Sequence, residues 1–400
     1  MNTLELKHNL YWTGIQDPAL RSFDIIMETQ YGTSYNSYMI KGTKKTALIE
    51  TAKFQFYEDY LSSLKQLVDI SQIDYIIMNH TEPDHSGSIE QLLDLNPDIT
   101  ICGTMGAINF LKEIINHDFC SQIVKSGDIL SLGDKTLQFF PAPQLHWPDT
   151  MYTYLKEDEV LFTCDSFGAH YSHDGVLRSS ITDSAAYMNA VTYYFDHIIS
   201  PFAIPYMQNA LALIEPLSID MVCTGHGPVL DSHIDEVLDC YKKWCTPIPK
   251  TKPSVVIAYV SAYGYTKELA ESIDAGILDS GEVTTALYNM ELSDTTEVVS
   301  ALAQADGILL GSPTILGDAL KPIWSLTLSM SPVTHRGKLA GAFGSYGWSG
   351  EAVPNLLERL KQLKLNVIDG YRVKFKPSSE ELKKAYEYGV YVRNTILNKK

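Results

Sequence analysis

Four hundred residues exceed what one hydrophobic core organises, so two or more domains are expected, and 45% hydrophobic residues give them ample surface to bury. A net charge of -17 argues against nucleic acid and anionic membrane surfaces as partners, because both call for clustered cations. No run approaches the roughly 20 apolar residues of a membrane-spanning helix, and the opening residues 1–7 lack the basic-then-apolar order of a signal peptide, so a cytoplasmic protein is expected.

In chain order, the runs 37–40 and 46–49 flank Lys41-Gly42-Thr43-Lys44-Lys45, which reads as a hairpin turn. The apolar runs 75–78, 137–140, 160–163 and 221–223 then read as buried strands separated by helical stretches. Composition breaks at residues 246–253, where three prolines in eight residues suit an extended connector. This break predicts a first domain over 1–246, a linker over 247–253 and a second domain over 254–400. Beyond it, the runs 255–260, 283–288, 307–310, 339–343 and 367–373 alternate with helix-length segments, as a doubly wound parallel sheet requires. A capping box, Ser378-Ser379-Glu380-Glu381, opens an amphipathic last helix that runs to Lys399-Lys400, where the helix dipole favours cations.

The six cysteines (Cys102, Cys120, Cys164, Cys223, Cys240 and Cys245) form no Cys-x-x-Cys pair. That removes rubredoxin-like iron, iron–sulfur and zinc-ribbon sites together, and leaves free thiols. A redox enzyme built on this chain would therefore take electrons from a separate partner.

The densest chemistry in the first half is Asn79-His80-Thr81-Glu82-Pro83-Asp84-His85-Ser86-Gly87, with four potential ligands directly after the run ending at Met78. Single ligands follow later runs: His146, Asp165, and His226 in Cys223-Thr224-Gly225-His226-Gly227-Pro228. Any one of these histidines alone reads as a capped or solvated side chain. The seven together do not, because strand ends converge in space and uncompensated carboxylates would repel. Four histidines and three carboxylates exceed the need of one metal, so a dinuclear site with a bridging carboxylate is the simplest assignment. Oxygen donors with imidazole suit iron or manganese better than tetrahedral zinc. His8, His117, His170, His173, His197, His233 and His335 have no comparable setting, although His170, Tyr193 and Tyr194 are candidates to stand around the metals.

These residues resemble the metallo-β-lactamase fold, whose hydrolases carry His-x-His-x-Asp-His followed by separate His, Asp and His ligands. Glu82 stands where the hydrolases have their second histidine. With that change, His80-x-Glu82-x-Asp84-His85, His146, Asp165 and His226 are similar to the diiron signature of flavodiiron proteins, and the intervals of 60, 18 and 60 residues between His85, His146, Asp165 and His226 fit that family. The resemblance implies an α/β chain whose first half is a metallo-β-lactamase-like αββα sandwich. It also implies that His80, Glu82 and His146 bind one iron, Asp84, His85 and His226 the other, and that Asp165 bridges them.

In the second half, the run 255–260 leads into Ser261-Ala262-Tyr263-Gly264-Tyr265-Thr266, after which a helix is expected from Lys267. Such a turn gathers backbone N–H groups and hydroxyls around an anion at a helix N-terminus, and a phosphate would fit. Gly311-Ser312-Pro313-Thr314-Ile315 and Gly344-Ser345-Tyr346-Gly347-Trp348-Ser349-Gly350 follow two further strand ends, where doubly wound sheets bind ligands, and supply amides and aromatic faces. The three loops resemble those of flavodoxin, and no Gly-x-Gly-x-x-Gly fingerprint is present, so the resemblance implies FMN rather than FAD or NAD. Together with the diiron half it covers essentially the whole chain and looks like the minimal two-domain type.

The combination implies an oxidoreductase that takes dioxygen to water, nitric oxide to nitrous oxide, or both. Its electrons would come from an external donor such as rubredoxin or a reduced flavin cofactor, in a head-to-tail homodimer or dimer of dimers. Two rivals stand beside it: a metal-dependent hydrolase with a regulatory flavodoxin-like domain, which Glu82 disfavours, and a flavin-bearing electron carrier with a structural metal site. Metal analysis separates them, since two irons and one FMN mark the reductase and two zincs the hydrolase.

Overall fold

The computed structural model describes residues 3–247 and 249–398. They form two compact units, Met1–Pro247 and Ile248–Lys400. Ile248 of the expected linker and Lys399 and Lys400 of the last helix lie outside the described residues.

The first unit contains a seven-stranded sheet built from Leu4–Lys7, Leu10–Trp12, Tyr38–Lys41, Thr46–Ile49, Tyr75–Met78, Thr100–Gly103 and Cys120–Ile123, neighbours in that order. A second sheet of five strands follows in Ile129–Ser131, Thr136–Pro141, Met151–Leu155, Val160–Cys164 and Met221–Thr224. Alternation along the strands builds three apolar layers, because successive side chains leave opposite faces. Tyr38, Ile40 and Ile77 meet Phe139, Phe162 and Cys223 in the core shared by both sheets. Met39, Ile76 and Met78 face the other way, onto the helices Tyr57–Leu67, Ile89–Leu95 and Met105–Ile115. Tyr152, Leu161 and Val222 do the same on the second sheet, under Ser184–Tyr194, Gln208–Ile214 and Ile234–Trp244. The result is the αββα sandwich. The expected hairpin is present, with Tyr38 opposite Ile49 and the Gly42 amide closing on the Lys45 carbonyl.

In the second unit Thr284–Asn289, Ser254–Tyr259, Gly307–Gly311, Leu339–Tyr346 and Asn366–Val367 lie side by side and parallel, the 2-1-3-4-5 order of flavodoxin-like sheets. Val256, Ala258, Ile308 and Leu310 face the helices Thr295–Gln304, Lys321–Leu328 and Ala352–Gln362. Val255, Ile257 and Leu309 face Tyr265–Leu278 and Ser379–Leu397. The last helix opens with the expected capping box, the Ser378 hydroxyl accepting from the Glu381 amide and the Glu381 carboxylate from the Ser378 amide. No described helix is long and apolar enough to cross a membrane.

Three expectations need correction. The helix read from Lys267 begins at Tyr265, directly after Gly264. The run 367–373 is two short strands, Asn366–Val367 and Tyr371–Lys374, because the chain between them presses so closely on its neighbours that a Cβ on Gly370 would lie 2.4 Å from Val353 and 2.9 Å from the Ala342 carbonyl. Leu339–Tyr346 outruns the expected 339–343 because Tyr371–Lys374 pairs with its second half, so Gly344, Ser345 and Tyr346 belong to a strand rather than a loop.

Candidate metal centre and anion-binding loops

The centre is assembled from the connections that leave the carboxyl ends of four strands in the two sheets. After Tyr75–Met78, the Asn79 amide donates to Glu50 at 2.7 Å and the Thr81 amide and hydroxyl both donate to Asp149 at 2.8 Å, which pins the segment that carries His80 and Glu82. Pro83 then opens a single helical turn, Pro83–Ser86, that presents Asp84 and His85. The His85 carbonyl accepts from the Thr51 amide and hydroxyl at 2.8 and 2.6 Å. His146 comes from the connection after Thr136–Pro141, Asp165 from the end of Val160–Cys164, and His226 from the turn after Met221–Thr224. Gly225 is required there: a Cβ on it would lie 2.8 Å from the His85 ring.

All seven side chains expected as ligands come together, and they sort into two cages. In the first, Glu82 Oε2 lies 3.1 Å from Nε2 of both His80 and His146, and Asp165 Oδ2 lies 3.0 Å from His146 Nε2 and 3.7 Å from His80 Nε2. In the second, Asp84 Oδ2 lies 3.1 Å from His226 Nε2 and 3.5 Å from His85 Nε2, while Asp165 Oδ1 lies 3.1 and 3.6 Å from His85 and His226. Asp165 thus gives a different oxygen to each cage. Such spacings suit atoms that share a cation at bond lengths of about 2.0–2.2 Å.

Electrostatics supports the same fit. Burial alone would depress the imidazoles, but the neighbouring carboxylates of Asp149 and Glu82 raise His80 to about 10, and those of Asp165 and Glu82 raise His146 to about 10. His85 is likewise raised to about 9 against its burial, by Asp84 and Asp165. Burial would push Asp165 and Glu82 upward, yet the surrounding histidines hold both below the usual carboxylate range. Protons on the imidazoles thereby do the work of cations, and a metal dication held at each cage would replace them. Both oxygens of Asp84 and both ring nitrogens of His85 are buried without a hydrogen-bond partner, which is how a first coordination layer looks without its ion.

Around the cages, His226 Nδ1 donates to the Ser34 carbonyl at 2.6 Å, which turns Nε2 inward. Of the three residues expected to surround the metals, His170 and Tyr194 do so: their rings lie 5.2 and 6.1 Å from His226 and 4.9 Å from each other. Burial and the neighbouring His226 push His170 down to about 3. Tyr193 instead stacks on His197 at 4.0 Å and, with His170, lines a cavity of about 670 Å³. Among the other histidines, His8, His117, His197 and His233 are exposed. Sequence reasoning missed Glu50, Asp149 and Asp24. Glu50 had a signal, an acidic residue directly after the apolar Thr46–Ile49; the other two had none. Asp24 sits at a hairpin tip with φ +48°, and burial followed by the charges of Glu82 and Asp84 raises its carboxyl.

In the second unit the three expected loops follow the adjacent strands Ser254–Tyr259, Gly307–Gly311 and Leu339–Tyr346. Gly264, at φ +86°, starts the helix Tyr265–Leu278 without a capping side chain of its own, leaving the amides of Tyr265 and Thr266 for an anion. Ser261 accepts from the Lys267 amide at 3.1 Å. Buried Thr266 ties the first loop to the third strand, its hydroxyl 3.0 Å from that of Ser345. The second loop joins the same strand through the Thr314 amide and the Ser345 carbonyl at 2.9 Å, and Ile315 pairs with Asp318. Ser312 is turned inward, donating to the Pro313 carbonyl and accepting from the Leu320 amide, so its hydroxyl serves the loop itself. Ala262, Tyr263 and Tyr265 complete the first segment, and Tyr346, Gly347, Trp348 and Gly350 the third. Tyr263 and Trp348 are 79% and 99% exposed, so their aromatic faces are free. A glycine-led helix start beside exposed rings fits a phosphate carried by a planar ring system.

Residues 33–227 match the family described as ODP family beta lactamase, and residues 257–389 match the flavodoxin family. A Clostridium acetobutylicum protein named flavo-diiron protein FprA2 is 41% identical over 97% of this chain and 98% of its own length. The anaerobic nitric oxide reductase flavorubredoxin of Escherichia coli is 32% identical over 97% of this chain and 81% of its own. In fold alone, the chain resembles the rubredoxin oxygen:oxidoreductase of Desulfovibrio gigas, with a TM-score of 0.72, 24% identity and coverage of 99% of both chains.

Proposed function

The chain belongs to the flavodiiron proteins, oxidoreductases that pass electrons through FMN to a diiron centre, and on that premise we propose how its own residues divide the work. His80, Glu82 and His146 hold one iron, Asp84, His85 and His226 hold the second, and Asp165 bridges the two. The segments 261–266, 312–315 and 345–348, with Gly350, seat FMN. The observation that carries this reading is the pair of cages that share Asp165 through separate oxygens. When bound, FMN and the two irons supply the four electrons that take dioxygen to water with four protons, or the two that join two nitric oxide molecules as nitrous oxide and water with two protons.

The protein decides where a diatomic gas enters. The side chains of Glu82 and His146 are 16% and 17% exposed, whereas those of His80, Asp84, His85, Asp165 and His226 lie between 0% and 6%. Substrate therefore arrives beside Glu82 and His146. The rings of Phe23, His170 and Tyr194 pack around His226.

The names of the relatives extend the reading. The Escherichia coli protein is called a nitric oxide reductase and the Desulfovibrio gigas protein a rubredoxin oxygen:oxidoreductase. Both gases belong to the proposal, with rubredoxin or a reduced flavin cofactor as external donor and a head-to-tail homodimer or dimer of dimers as the working form. Six free cysteines suit a reducing, cytoplasmic setting. The test is to purify the chain anaerobically, measure iron and FMN, reduce it chemically and offer each gas in turn. About two irons and one FMN per chain with reoxidation by either gas is expected; zinc in place of iron, or a reduced protein inert to both gases, defeats the proposal.

A further inference from the structure

Behind the cages lie four buried polar atoms that lack hydrogen-bond partners, and they fall into two complementary pairs. The first is His80 Nδ1 and Asp149 Oδ1, 3.6 Å apart. The second is His85 Nδ1 and Glu50 Oε2. Nε2 of His85 is turned toward Asp84 and Asp165, so its other nitrogen is left for the side on which Glu50 sits, where the donor atoms of Glu50, His85 and Cys164 all lie within 4.8 Å of one another. Each pair sets one ring nitrogen against one carboxylate oxygen, and the 3.6 Å between His80 Nδ1 and Asp149 Oδ1 closes to a hydrogen bond with a small rotation of the ring.

Both carboxylates are held from behind. Asp149 uses its other oxygen to accept from the amide and hydroxyl of Thr81, and Glu50 uses its own to accept from the Asn79 amide. Asp149 is fully buried and Glu50 is 2% exposed, so neither has water as an alternative partner. Buried polar atoms without partners are rare, and two matched pairs directly behind the ligand atoms call for a common cause.

We propose that Glu50 and Asp149 are the positioning residues of the centre, one for each iron. Asp149 fixes the His80 ring and Glu50 fixes the His85 ring, each by accepting Nδ1–H so that Nε2 is held bare toward its cage and is made the stronger donor. The other two imidazoles are backed differently: His226 by the neutral Ser34 carbonyl, and His146 from a position partly open to solvent. Each iron thus has one imidazole with a carboxylate behind it and one without. The assignment rests on the ligand sets proposed above.

Four variants of the full chain test it: Glu50→Gln, Asp149→Asn, Thr153→Val and His85→Ala. Ferrous iron affinity is measured anaerobically by competition with a chelator, and the reduction of the centre is followed by electron paramagnetic resonance during a redox titration. FMN content and cooperative unfolding confirm that each variant is folded. Glu50→Gln and Asp149→Asn should each weaken one of the two irons by about 10–100-fold, and Asp149→Asn should also raise the potential of the centre, since a negative charge that favours ferric iron is gone. Thr153→Val removes a buried hydrogen bond to Asn79 that backs no ligand ring and should leave iron affinity unchanged. Wild-type affinity and potential in either folded amide variant would overturn the role of that residue, and if one variant fails to fold the other still decides the idea. His85→Ala guards the premise: if it keeps both irons the ligand sets themselves are wrong, and if it loses iron while the amide variants do not, only the present assignment falls.

Discussion

Glu82 touches both histidines of its cage with a single oxygen, so removing its carboxylate opens that cage from two sides. Glu82→Ala should lose one of the two irons and slow gas reduction by roughly 100-fold, in line with removal of a metal-binding group; metal analysis and gas uptake that both match the unaltered chain would refute the assignment. A second expectation concerns pH. In the chain without metal, His80 and His146 titrate at about 10 and His85 at about 9, all above the 6.5 of an unperturbed imidazole. Raised values stabilise the folded state fully below the unfolded value, and that stabilisation is lost as pH rises toward 9–10, when the buried carboxylates lose their counter-charges. The iron-free chain should therefore melt at progressively lower temperature between pH 7 and pH 10, and iron should suppress the slope; a flat profile in calorimetry would contradict the electrostatics described for the cages. The seven side chains that gather in the cages were legible because four of them crowd one turn after an apolar strand and the others each follow a strand end. Asp149 was not, since its role depends on reaching Thr81, 68 residues away in sequence, and nothing local announces that contact.

Helices Tyr265–Leu278 and Ser379–Leu397 approach through a pair of glycines: a Cβ on Gly389 would lie 2.1 Å from the Ile273 carbonyl and 3.1 Å from Gly276 Cα. Gly389→Ala forces the two helices apart, and overpacking of this kind costs about 1–3 kcal/mol. Because Tyr265–Leu278 begins at the expected phosphate position, the same change should weaken FMN retention, whereas exposed Lys383→Ala should alter stability by less than about 0.5 kcal/mol. Flavin release followed by absorbance during heating checks both; equal release temperatures for Gly389→Ala and the unaltered chain would show that the helix contact does not support the loop. At this scale the sequence spoke most clearly where both faces of a strand are buried, as in Tyr75–Met78, Val160–Cys164 and Gly307–Gly311. It was silent on Cys120–Ile123, which is exposed throughout, and on the π-helical turns Phe195–Ile199 and Ala203–Met207, because neither shows an apolar period. Which strands share a sheet was also hidden, since alternation reports burial and not the neighbour.

At the scale of the whole chain, each compact unit has its own cores and its own set of functional residues. A fragment that begins near Lys252 should fold, bind FMN and be yellow; a soluble, folded fragment that stays colourless would sink the proposal that the second half is autonomous. The proposed head-to-tail pairing makes a different demand, that electrons leave the flavin of one copy for the irons of another. On the proposed site, one variant altered at Thr266 and Trp348 should not hold FMN, and another altered at His85 and Asp165 should not hold iron. Mixed dimers of the two should recover up to about half the activity per dimer, since one intact flavin then faces one intact metal site. Verified mixed dimers that remain inactive would place the electron path within a single copy.

Trp348 is the exposed member of five tryptophans and belongs to the proposed flavin seat, while Trp12 is buried and Trp147, Trp244 and Trp324 are partly covered. An indole in water emits at long wavelength, and an isoalloxazine ring close by accepts that excitation and darkens it. The chain should consequently carry its own optical gauge: on the proposed seat, the red edge of its fluorescence is expected to dim as the flavin binds. No label is required to follow that event.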